Sequence, residues 1–289
     1  PASVEVIVAD NCSSDFSYEA ALSIASRTTG WRVYQRSSNI GPDANMLQLL
    51  RDAHGAYRWF IGDDDKPRSG LIRFLVQHLQ LQSSDLLYLP SEWLPDIYQA
   101  TPPCHEEVDF TRIGHLKCAS RMHIWTTFIS SWVFSYDRLS RIRPDLEEIS
   151  ELVGSCFIQL GWILPFLVDP EARIEEASGG CILATSGNTG GYHVAQAFLV
   201  NYPRIVASYA RHSFLLRRLL IGGAVRSYLP SLILALREGS SFRNAGSLSG
   251  IAAASFLQLW THPFYWLLCL PLLLLPSHVA VSYTHLTLP

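Results

Sequence analysis

The sequence predicts an α/β protein whose sheet is mainly parallel, followed by an apolar helical region. Between residues 4 and 89, short β-branched or aromatic runs alternate with helix-like segments. This order is typical of strands joined by helices. From residue 193 onward the chain is helix-like and leucine-rich, and its end is almost wholly apolar.

The N-terminal elements follow from polar turns that punctuate apolar runs. Strands are predicted at residues 4–9, 31–34, 57–61 and 85–89. Helices are predicted between them, at residues 17–27, 43–53 and 69–81, with Asp15 and Asp43 as helix caps. Ligands of such sheets bind beyond the carboxyl ends of the strands, so the polar residues that follow each strand are site candidates.

The middle of the chain is less regular. Residues 94–107 are proline-rich and predict a loop or lid. Strands are predicted at residues 128–134 and 163–168, a helix at 146–160, and a short strand between Gly180 and Gly187. Helices are then predicted at residues 195–214 and 215–236.

Composition narrows the class of protein. The chain is 48% hydrophobic and only 16% charged, with a mean hydropathy of +0.15. That charged fraction lies below the roughly 25% typical of soluble domains, which indicates a large core or membrane contact. The six cysteines form no CxxC pair and the ten histidines show no zinc spacing, so reduced thiols are expected and a zinc site is not.

Charge is distributed unevenly. Residues 201–243 hold seven arginines against one glutamate, a net +6, and no charged residue follows Arg243. A basic stretch that leads into an apolar one suits the anionic inner face of a cell membrane. Nucleic-acid binding is disfavoured, because the stretch is leucine-rich and lacks a recognisable binding module.

The apolar segment at residues 259–276 nearly reaches the ~20 residues that span a bilayer. Its prolines and His262 argue against a clean spanning helix, while Trp260 and Trp266 suit a membrane interface. Three readings stay open, in this order: interfacial anchoring, a true span, or a buried core helix. A cytoplasmic protein held at the inner membrane face is expected.

The most informative stretch is Tyr57-Arg-Trp-Phe-Ile-Gly-Asp-Asp-Asp65, in which an aromatic run ends in glycine and three carboxylates. Hard oxygen ligands at a strand end suit Mg²⁺ or Mn²⁺ bound to a phosphate-bearing substrate. Gly62 would let the backbone approach that substrate closely. The alternative is an acidic turn that caps the next helix.

Three motifs together resemble family 2 glycosyltransferases, which have the GT-A nucleotide-sugar-binding fold. They are the strand and turn at residues 6–15, the N-x-G…N turn at residues 39–45, and the G-x-Y…D-D-D strand at residues 55–65. Residues 128–134 and 187–192 are similar to the branch that contains abequosyltransferase and related O-antigen enzymes. The resemblance covers roughly residues 3–205.

The resemblance implies a metal site and a nucleotide-sugar site. Asp65 would bind Mn²⁺ or Mg²⁺ directly, with Asp63 in support. Asp63 and Asp64 would also border the nucleotide-sugar, although alternation along a strand would point the Asp64 side chain away. Asp10 would contact the nucleobase or ribose.

The resemblance also implies roles for several side chains with amide or hydroxyl groups. Asn39 and Asn45 would fix the turn near the nucleotide-sugar, or serve a purely structural purpose. Side chains that follow the glycine-rich turn would line the acceptor or close over the nucleotide-sugar, with a structural turn as the alternative: Asn188, Thr189 and Tyr192.

An inverting transfer also needs a carboxylate base that faces the acceptor hydroxyl. By position, the resemblance implies Glu151, with Glu148 as the alternative and Glu147 or Asp145 still open. The competing interpretation is a set of solvated acids that favour a helix N-terminus.

The chain departs from the family pattern in three places. A first strand with its P-x-Y-N turn is missing, an arginine before Asn45 is absent, and the usual E-D pair is not evident. We expect a glycosyltransferase domain at residues 1–200, a membrane-associating helical region at 201–280, and a non-native, adaptor-like tail at 281–289.

These features predict a metal-dependent inverting glycosyltransferase. It would move a sugar from a nucleotide-sugar to a cell-surface glycan, such as an O-antigen precursor on a polyprenyl diphosphate. The alternatives are a nucleotidyltransferase on a similar sheet and a non-catalytic, membrane-associated nucleotide-sugar-binding protein. The sequence predicts no particular oligomeric state.

Overall fold

A computed structural model of the protein describes residues 4–98, 107–143, 145–185, 193–237 and 248–276. The strands in these residues are β1 (Val6–Asp10), β2 (Trp31–Gln35), β3 (Tyr57–Trp59), β4 (Asp65–Pro67), β5 (Leu86–Tyr88), β6 (Ser91–Leu94), β7 (Phe110–Ile113), β8 (Trp132–Ser135), β9 (Ile174–Ala177) and β10 (Ile182–Thr185).

The strands form three sheets, with the orders β1-β2, β4-β10-β6 and β3-β8-β5-β9-β7. The pairs β1–β2, β5–β9 and β6–β10 are parallel, and the other pairs among the described strands are antiparallel. The predicted α/β class is confirmed. The sheets are mixed in direction because β8, which lies between β3 and β5, runs antiparallel to both.

The helices of the N-terminal part lie where the sequence predicts them. They are α1 (Ser17–Ala25), α2 (Pro42–Asp52) and α3 (Leu71–Leu81). Two shorter helices then flank β8, namely α4 (His115–Met122) and α5 (Tyr136–Ile142). A 3₁₀ helix occupies Ile129–Ser131, so only the second half of the strand predicted at residues 128–134 is extended.

The prediction of a strand at residues 163–168 is wrong, because this segment belongs to helix α6 (Leu160–Val168). Seven of its nine residues are buried. A helix that is apolar all round shows no 3.6-residue period, so its sequence is indistinguishable from that of a buried strand. The helix predicted at residues 146–160 is a 3₁₀ helix (Leu146–Leu152) followed by a turn with positive φ at Gly154 and Cys156.

The C-terminal region is helical, as predicted. Its helices are α7 (Val194–Gln196), α8 (Tyr202–Tyr209), α9 (Phe214–Ser227), α10 (Leu229–Arg237), α11 (Leu248–Leu259) and α12 (Leu270–Leu274), with π-helical turns at Ala197–Asn201 and Tyr265–Cys269. None of the helices in the described ranges is by itself long and apolar enough to span a bilayer. The bent pair α9–α10 meets that requirement only when its two helices are taken together.

Two hydrophobic clusters hold the elements together. The larger one joins β5, β8 and α6 to the C-terminal helices, with Trp132, Trp162 and Tyr202 almost fully buried. The smaller one packs α3 against β5 and β10 through Leu71, Leu87 and Ile182, among others. The ring of Phe60, just after β3, stacks on Trp162 at 4.9 Å between centroids. This contact fixes the position of the chain just before Gly62 and the three aspartates that follow it.

Candidate functional site

The three aspartates lie in the turn between β3 and β4. The Asp65 backbone N–H donates to the Gly62 carbonyl at 3.2 Å, so Asp63 and Asp64 occupy the centre of a tight turn. Asp65 then opens β4, which pairs with β10 and forms one edge of its three-stranded sheet. We call residues 62–65 the aspartate turn.

Gly62 is needed where two carboxylates of this turn converge. A Cβ atom at this position would lie 2.8 Å from Asp64 Oδ1 and 3.0 Å from Asp65 Oδ2, closer than side chains tolerate. The expectation that Asp64 points away therefore does not hold. Strand alternation does not apply, because β3 ends at Trp59 and the aspartates begin in a turn. The Asp63 side chain is the exposed one of the three.

Ser130 holds the buried end of the turn. Its hydroxyl donates to Asp65 Oδ2 at 2.5 Å and accepts from the Gly62 N–H at 2.9 Å. Burial raises the pKa of Asp65 to about 6, the hydrogen bond from Ser130 opposes that rise, and the charges of Asp64 and Asp63 add to it. Sequence reasoning missed Ser130, although it lies inside the motif at residues 128–134.

The aspartate turn fits a divalent ion that is shared with a phosphate-bearing ligand. Asp64 and Asp65 place hard oxygen atoms around the space that a Cβ of residue 62 would fill. Magnesium is usually held by one or two carboxylates, with waters and substrate phosphates completing its shell. No group of three or more His, Cys, Asp or Glu side chains that could hold a metal occurs in the residues the structure describes.

Ser130→Ala is expected to raise the pKa of Asp65 above about 6, because its carboxylate loses the hydroxyl that stabilises the charged form. A proton competes with a metal ion for this carboxylate, so Mn²⁺ affinity should fall as the pH drops through that pKa. Titration of Mn²⁺ binding against pH, followed by water-proton relaxation, should show the midpoint moving upward in the variant.

Ser131→Ala is the matched control for this shift. The Ser131 hydroxyl is equally buried but has no hydrogen-bond partner in the described part of the chain. The control should keep the wild-type midpoint. A Ser130→Ala midpoint equal to the wild-type one would show that the hydroxyl does not tune Asp65.

Asp10 ends β1 and is 9% exposed. Its Oδ2 accepts a hydrogen bond from the Ser13 backbone N–H at 3.1 Å, across a turn in which Cys12 has a φ of 64°. Hydrogen bonds from the Ser13 side chain and its neighbours lower the pKa of Asp10 and so favour the ionised form. Asp10 is therefore a charged acceptor beyond the carboxyl end of a parallel strand.

The two predicted asparagines organise the turns beside Asp10. Asn39 Oδ1 accepts from Asn11 Nδ2 and from the Gly41 backbone N–H, which ties the turn after β1 to the turn before α2. Asn45 Nδ2 donates to the Ala9 carbonyl at 2.9 Å. Arg36 Nε donates to Asn45 Oδ1 at 3.0 Å. Arg36, which sequence reasoning missed, thus fixes the orientation of Asn45.

Asp43 has a different role from the helix cap that the sequence predicts. Its side chain is 3% exposed and makes no cap for α2. Its Oδ2 accepts from the Cys156 N–H at 2.8 Å and its Oδ1 from the Ile158 N–H at 3.5 Å. Asp43 therefore joins the N-terminal end of α2, close to Asn45, to the segment that precedes α6.

The predicted base residues lie in the 3₁₀ helix Leu146–Leu152, which runs alongside α2. Glu148 forms an ion pair with Arg143, and Glu147 pairs with Arg51 near the C-terminal end of α2. Glu151 is exposed, and the charges of Glu148 and Glu151 both act on Tyr209. These contacts place Glu148 and Glu151 in a different group of side chains from the aspartate turn.

Some predicted site residues lie outside the described residues. These are Asn188, Thr189 and Tyr192, together with most of the loop predicted at residues 94–107. Their roles stay predictions. The strand that leads to the first group is β10, and the Thr185 hydroxyl at its end donates to the Asp64 carbonyl at 3.2 Å.

A family model matches the part of the chain that contains the turns after β1, β2 and β3. Residues 1–99 match the model of Glycosyl transferase family 2. This range contains Asp10, Asn39, Asn45 and the whole aspartate turn. The match therefore covers the N-terminal third of the chain. A comparison with curated proteins gave no match.

Two solved structures of one protein, TarS, share the fold at low sequence identity. Residues 1–349 of TarS from S. aureus in complex with UDP give a TM-score of 0.53 at 18% identity, covering 96% of this chain and 78% of the TarS fragment. The complex of the same fragment with UDP-GlcNAc gives 0.51 at 17% identity, with the same coverage. The mannosyltransferase PcManGT from Pyrobaculum calidifontis, in complex with GDP-Man and Mn²⁺, gives 0.46 at 15% identity, covering 98% and 77%. The fold is of the GT-A type, as predicted.

Proposed function

We propose that this protein is a metal-dependent inverting glycosyltransferase that transfers a sugar from a nucleotide-sugar to a lipid-linked cell-surface glycan. The observation that carries the proposal is the aspartate turn, in which two carboxylates converge beside Gly62 within a segment that matches a glycosyltransferase family. The finer resemblance to the abequosyltransferase branch supports an O-antigen-type acceptor.

The carboxylates of the aspartate turn are proposed to hold a divalent cation beside the departing nucleoside diphosphate. A divalent ion held by these carboxylates, Mn²⁺ or Mg²⁺, would neutralise the diphosphate charge that develops as the sugar–phosphate bond breaks. Asp65 is the proposed direct ligand, with its rotamer fixed by Ser130. Asp64 faces the same space, and exposed Asp63 supports them from the solvent side.

The turns after β1 and β2 are proposed to hold the nucleoside. Asp10 is ionised and offers a carboxylate to a nucleobase N–H or a ribose hydroxyl. Asn39 Oδ1 already accepts hydrogen bonds from Asn11 and Gly41, and Asn45 Nδ2 already donates to the Ala9 carbonyl. Their proposed contribution is therefore to fix the shape of the pocket.

Glu151 is the proposed base, and Glu148 is the alternative. In an inverting transfer, the acceptor hydroxyl attacks from the side opposite the leaving diphosphate and gives its proton to a carboxylate. Glu148 is held in an ion pair with Arg143, whereas Glu151 is exposed and takes part in no ion pair within the described residues. These contacts favour Glu151.

The proposed function predicts Mn²⁺-dependent binding of one nucleoside diphosphate. Calorimetric titration with UDP, CDP, GDP and dTDP, with and without Mn²⁺, should give a metal-dependent isotherm for at least one of them. The bound nucleotide names the class of nucleotide-sugar. Absence of binding by a folded chain to all four would contradict the proposal. Metal-dependent binding without release of nucleoside diphosphate from any matching nucleotide-sugar would favour a non-catalytic binding protein.

Glu151→Gln is expected to slow the transfer by about 100-fold or more while leaving nucleotide affinity unchanged, because a general base acts on the chemical step. Hydrolysis of the matching nucleotide-sugar, in which water replaces the acceptor, measures this step without knowledge of the acceptor. Glu147→Gln, which removes only an exposed ion pair with Arg51, is the control. A full rate for Glu151→Gln together with a lost rate for Glu148→Gln would transfer the role to Glu148.

A further inference from the structure

Three aromatic side chains form a half-exposed cluster, the aromatic platform, made of Trp93, Trp125 and Phe128. The ring centroids of Trp93 and Phe128 lie 4.9 Å apart, and those of Trp93 and Trp125 lie 5.8 Å apart, with tilted planes. Trp93 is 42% exposed, whereas Trp132, from the same region, is 1% exposed. Trp93 thus offers aromatic area to a ligand, while Trp125 and Phe128, which are partly buried against the core, support it.

The register of the small sheet places the platform beside the aspartate turn. Ala184 on β10 is paired with Asp65 on one side and with Trp93 on the other. Directly paired residues project to the same face of a sheet, and adjacent strands are ~4.8 Å apart. The backbones of Asp65 and Trp93 are therefore separated by roughly 10 Å, with their side chains on one face.

A second connection runs through the chain itself. Phe128 lies two residues before Ser130, whose hydroxyl contacts Asp65 and Gly62. The Ser130 carbonyl also accepts the Trp59 indole N–H at 2.8 Å. The segment at residues 125–130 therefore carries two members of the platform and the group that fixes the proposed metal ligand.

We propose that the aromatic platform binds a sugar ring of the acceptor glycan by stacking, beside the bond to be formed. This inference rests on the proposed function and adds the site of the second substrate. The C–H faces of pyranose rings are apolar, while their hydroxyls stay hydrated at the ring edge. A half-exposed indole matches that surface. A nucleobase is the less suitable occupant, because Asp10, the proposed nucleoside contact, lies at the end of β1, in a different sheet from Trp93.

Binding to an array of immobilised bacterial surface oligosaccharides tests this site. The wild type should bind at least one glycan on the array. Trp93→Ala should weaken that binding about tenfold or more, while Trp93→Phe should keep most of it because an aromatic face remains. Trp266→Ala is the control, since Trp266 is similarly exposed (48%) but belongs to the C-terminal region.

Nucleotide binding, measured in parallel, separates this inference from the proposed function. Trp93→Ala should bind the nucleoside diphosphate with wild-type affinity. The platform assignment is overturned if the wild type binds no glycan, if Trp93→Ala binds glycans as well as the wild type, or if Trp93→Ala loses nucleotide affinity. Failure of the wild type to bind any nucleotide would instead count against the proposed function.

A separate observation concerns the C-terminal apolar surface, made of Leu257, Trp260, Phe264, Trp266 and Leu267. Each of these side chains is between 39% and 72% exposed. Four residues of the same segment are buried against the rest of the protein, namely Leu259, His262, Tyr265 and Leu268. The segment is therefore docked on one side and leaves a large apolar area uncovered on the other, which marks an interaction site.

Arginines of α9 border this surface. Helix α9 packs against the segment, since the Cys269 thiol donates to the Val225 carbonyl at 3.7 Å and a Cβ atom at Gly222 would lie 3.8 Å from His262 Nδ1. Burial lowers the pKa of His262, and the charges of Arg218 and Arg217 on this helix lower it further. Their guanidinium groups also lie 6.0 and 5.9 Å from the ring centre of exposed Phe214. The sequence has no acidic residue after Glu238. The surroundings of the apolar surface are therefore positively charged.

We infer that the C-terminal apolar surface docks on anionic phospholipid at a membrane interface. Tryptophan rings are favoured at the headgroup level, leucine side chains enter the acyl region, and arginines are attracted to anionic headgroups. This arrangement matches the expectation of interfacial anchoring from the sequence. It stands independently of the enzymatic proposal.

Co-sedimentation with phosphatidylcholine vesicles, with or without phosphatidylglycerol, tests the inference. The wild type should sediment with the anionic vesicles, and the double variant Trp260→Ser/Leu267→Ser should lose most of that binding. The control Phe16→Ser/Leu81→Ser removes two even more exposed apolar groups elsewhere, 84% and 82% exposed, and should bind as the wild type does. Arg217→Gln/Arg218→Gln should reduce the preference for phosphatidylglycerol.

Three results would overturn the inference that the C-terminal apolar surface docks on phospholipid. The wild type could remain in the supernatant with anionic vesicles, or the two double variants could bind equally. A wild type that self-associates without binding vesicles, and becomes monomeric in Trp260→Ser/Leu267→Ser, would assign the surface to a second copy of the chain.

Discussion

Asp65→Asn is expected to weaken Mn²⁺-dependent nucleotide binding by about 100-fold or more. The amide has the size of the carboxylate but not its charge, so a hard cation loses its main anionic ligand. Ser130 stays in place, because its hydroxyl can donate to the amide oxygen as it does to the carboxylate, and it still accepts from the Gly62 N–H. Calorimetric titration of the bound nucleotide, with and without Mn²⁺, measures the change.

The other two aspartates provide graded controls. Asp63 is exposed, so Asp63→Asn should cost less than about tenfold, and Asp64→Asn should lie between the two because Oδ1 of Asp64 faces Gly62. Asp65→Asn that keeps its full metal-dependent affinity would contradict the assignment of Asp65 as the direct ligand. An Asp63→Asn effect larger than that of Asp65→Asn would assign the ligand to the solvent-facing side of the turn.

Asp65→Asn should also change how the stability of the protein depends on pH. The pKa of Asp65 in the folded protein, about 6, lies above its ordinary value of 3.8, so folding disfavours the ionised form. Wild-type stability therefore decreases as the pH rises from about 4 through about 6. Without metal, Asp65→Asn should melt at a higher temperature than the wild type at pH 8 and lose that advantage at pH 4.

The N-terminal fold could be predicted because its signals are local. The strand ends at Asp10 and Gln35, and the start of α2 after Gly41, lie within one or two residues of the predicted positions. Each is marked by a polar turn or a proline, which restrict the backbone whatever the tertiary context. The order of the three motifs then pointed to the correct fold.

The features that the sequence did not predict depend on contacts between residues far apart in the chain. Asp43 and Cys156 are joined by a hydrogen bond across 113 positions of the chain. Leu94 was predicted as the start of a loop, yet it is paired with Thr185 of β10 at the end of strand β6. Helix α6 was predicted as a strand because it has no polar face. Tertiary burial, absent from local patterns, decided each of these cases.

Asp43→Ala is expected to lower the free energy of unfolding by about 2–4 kcal/mol. The buried N–H groups of Cys156 and Ile158 lose their acceptor, and an unsatisfied buried donor costs about 1–3 kcal/mol. Removal of a buried charge, whose pKa is raised by desolvation, offsets part of that loss. Urea unfolding followed by circular dichroism gives the difference.

Two comparisons show whether the hydrogen bonds carry this effect. Asp43→Asn keeps one carbonyl oxygen as an acceptor and should lose less than Asp43→Ala. Glu147→Ala removes a carboxylate of the neighbouring element whose pairing with Arg51 is exposed, so it should cost less than about 1 kcal/mol. Equal losses in Asp43→Ala and Glu147→Ala would mean that the link between α2 and the segment before α6 contributes little. A large loss only in Asp43→Ala, accompanied by weaker nucleotide binding, would show that this link also supports Asn45 and the turn beside Asp10.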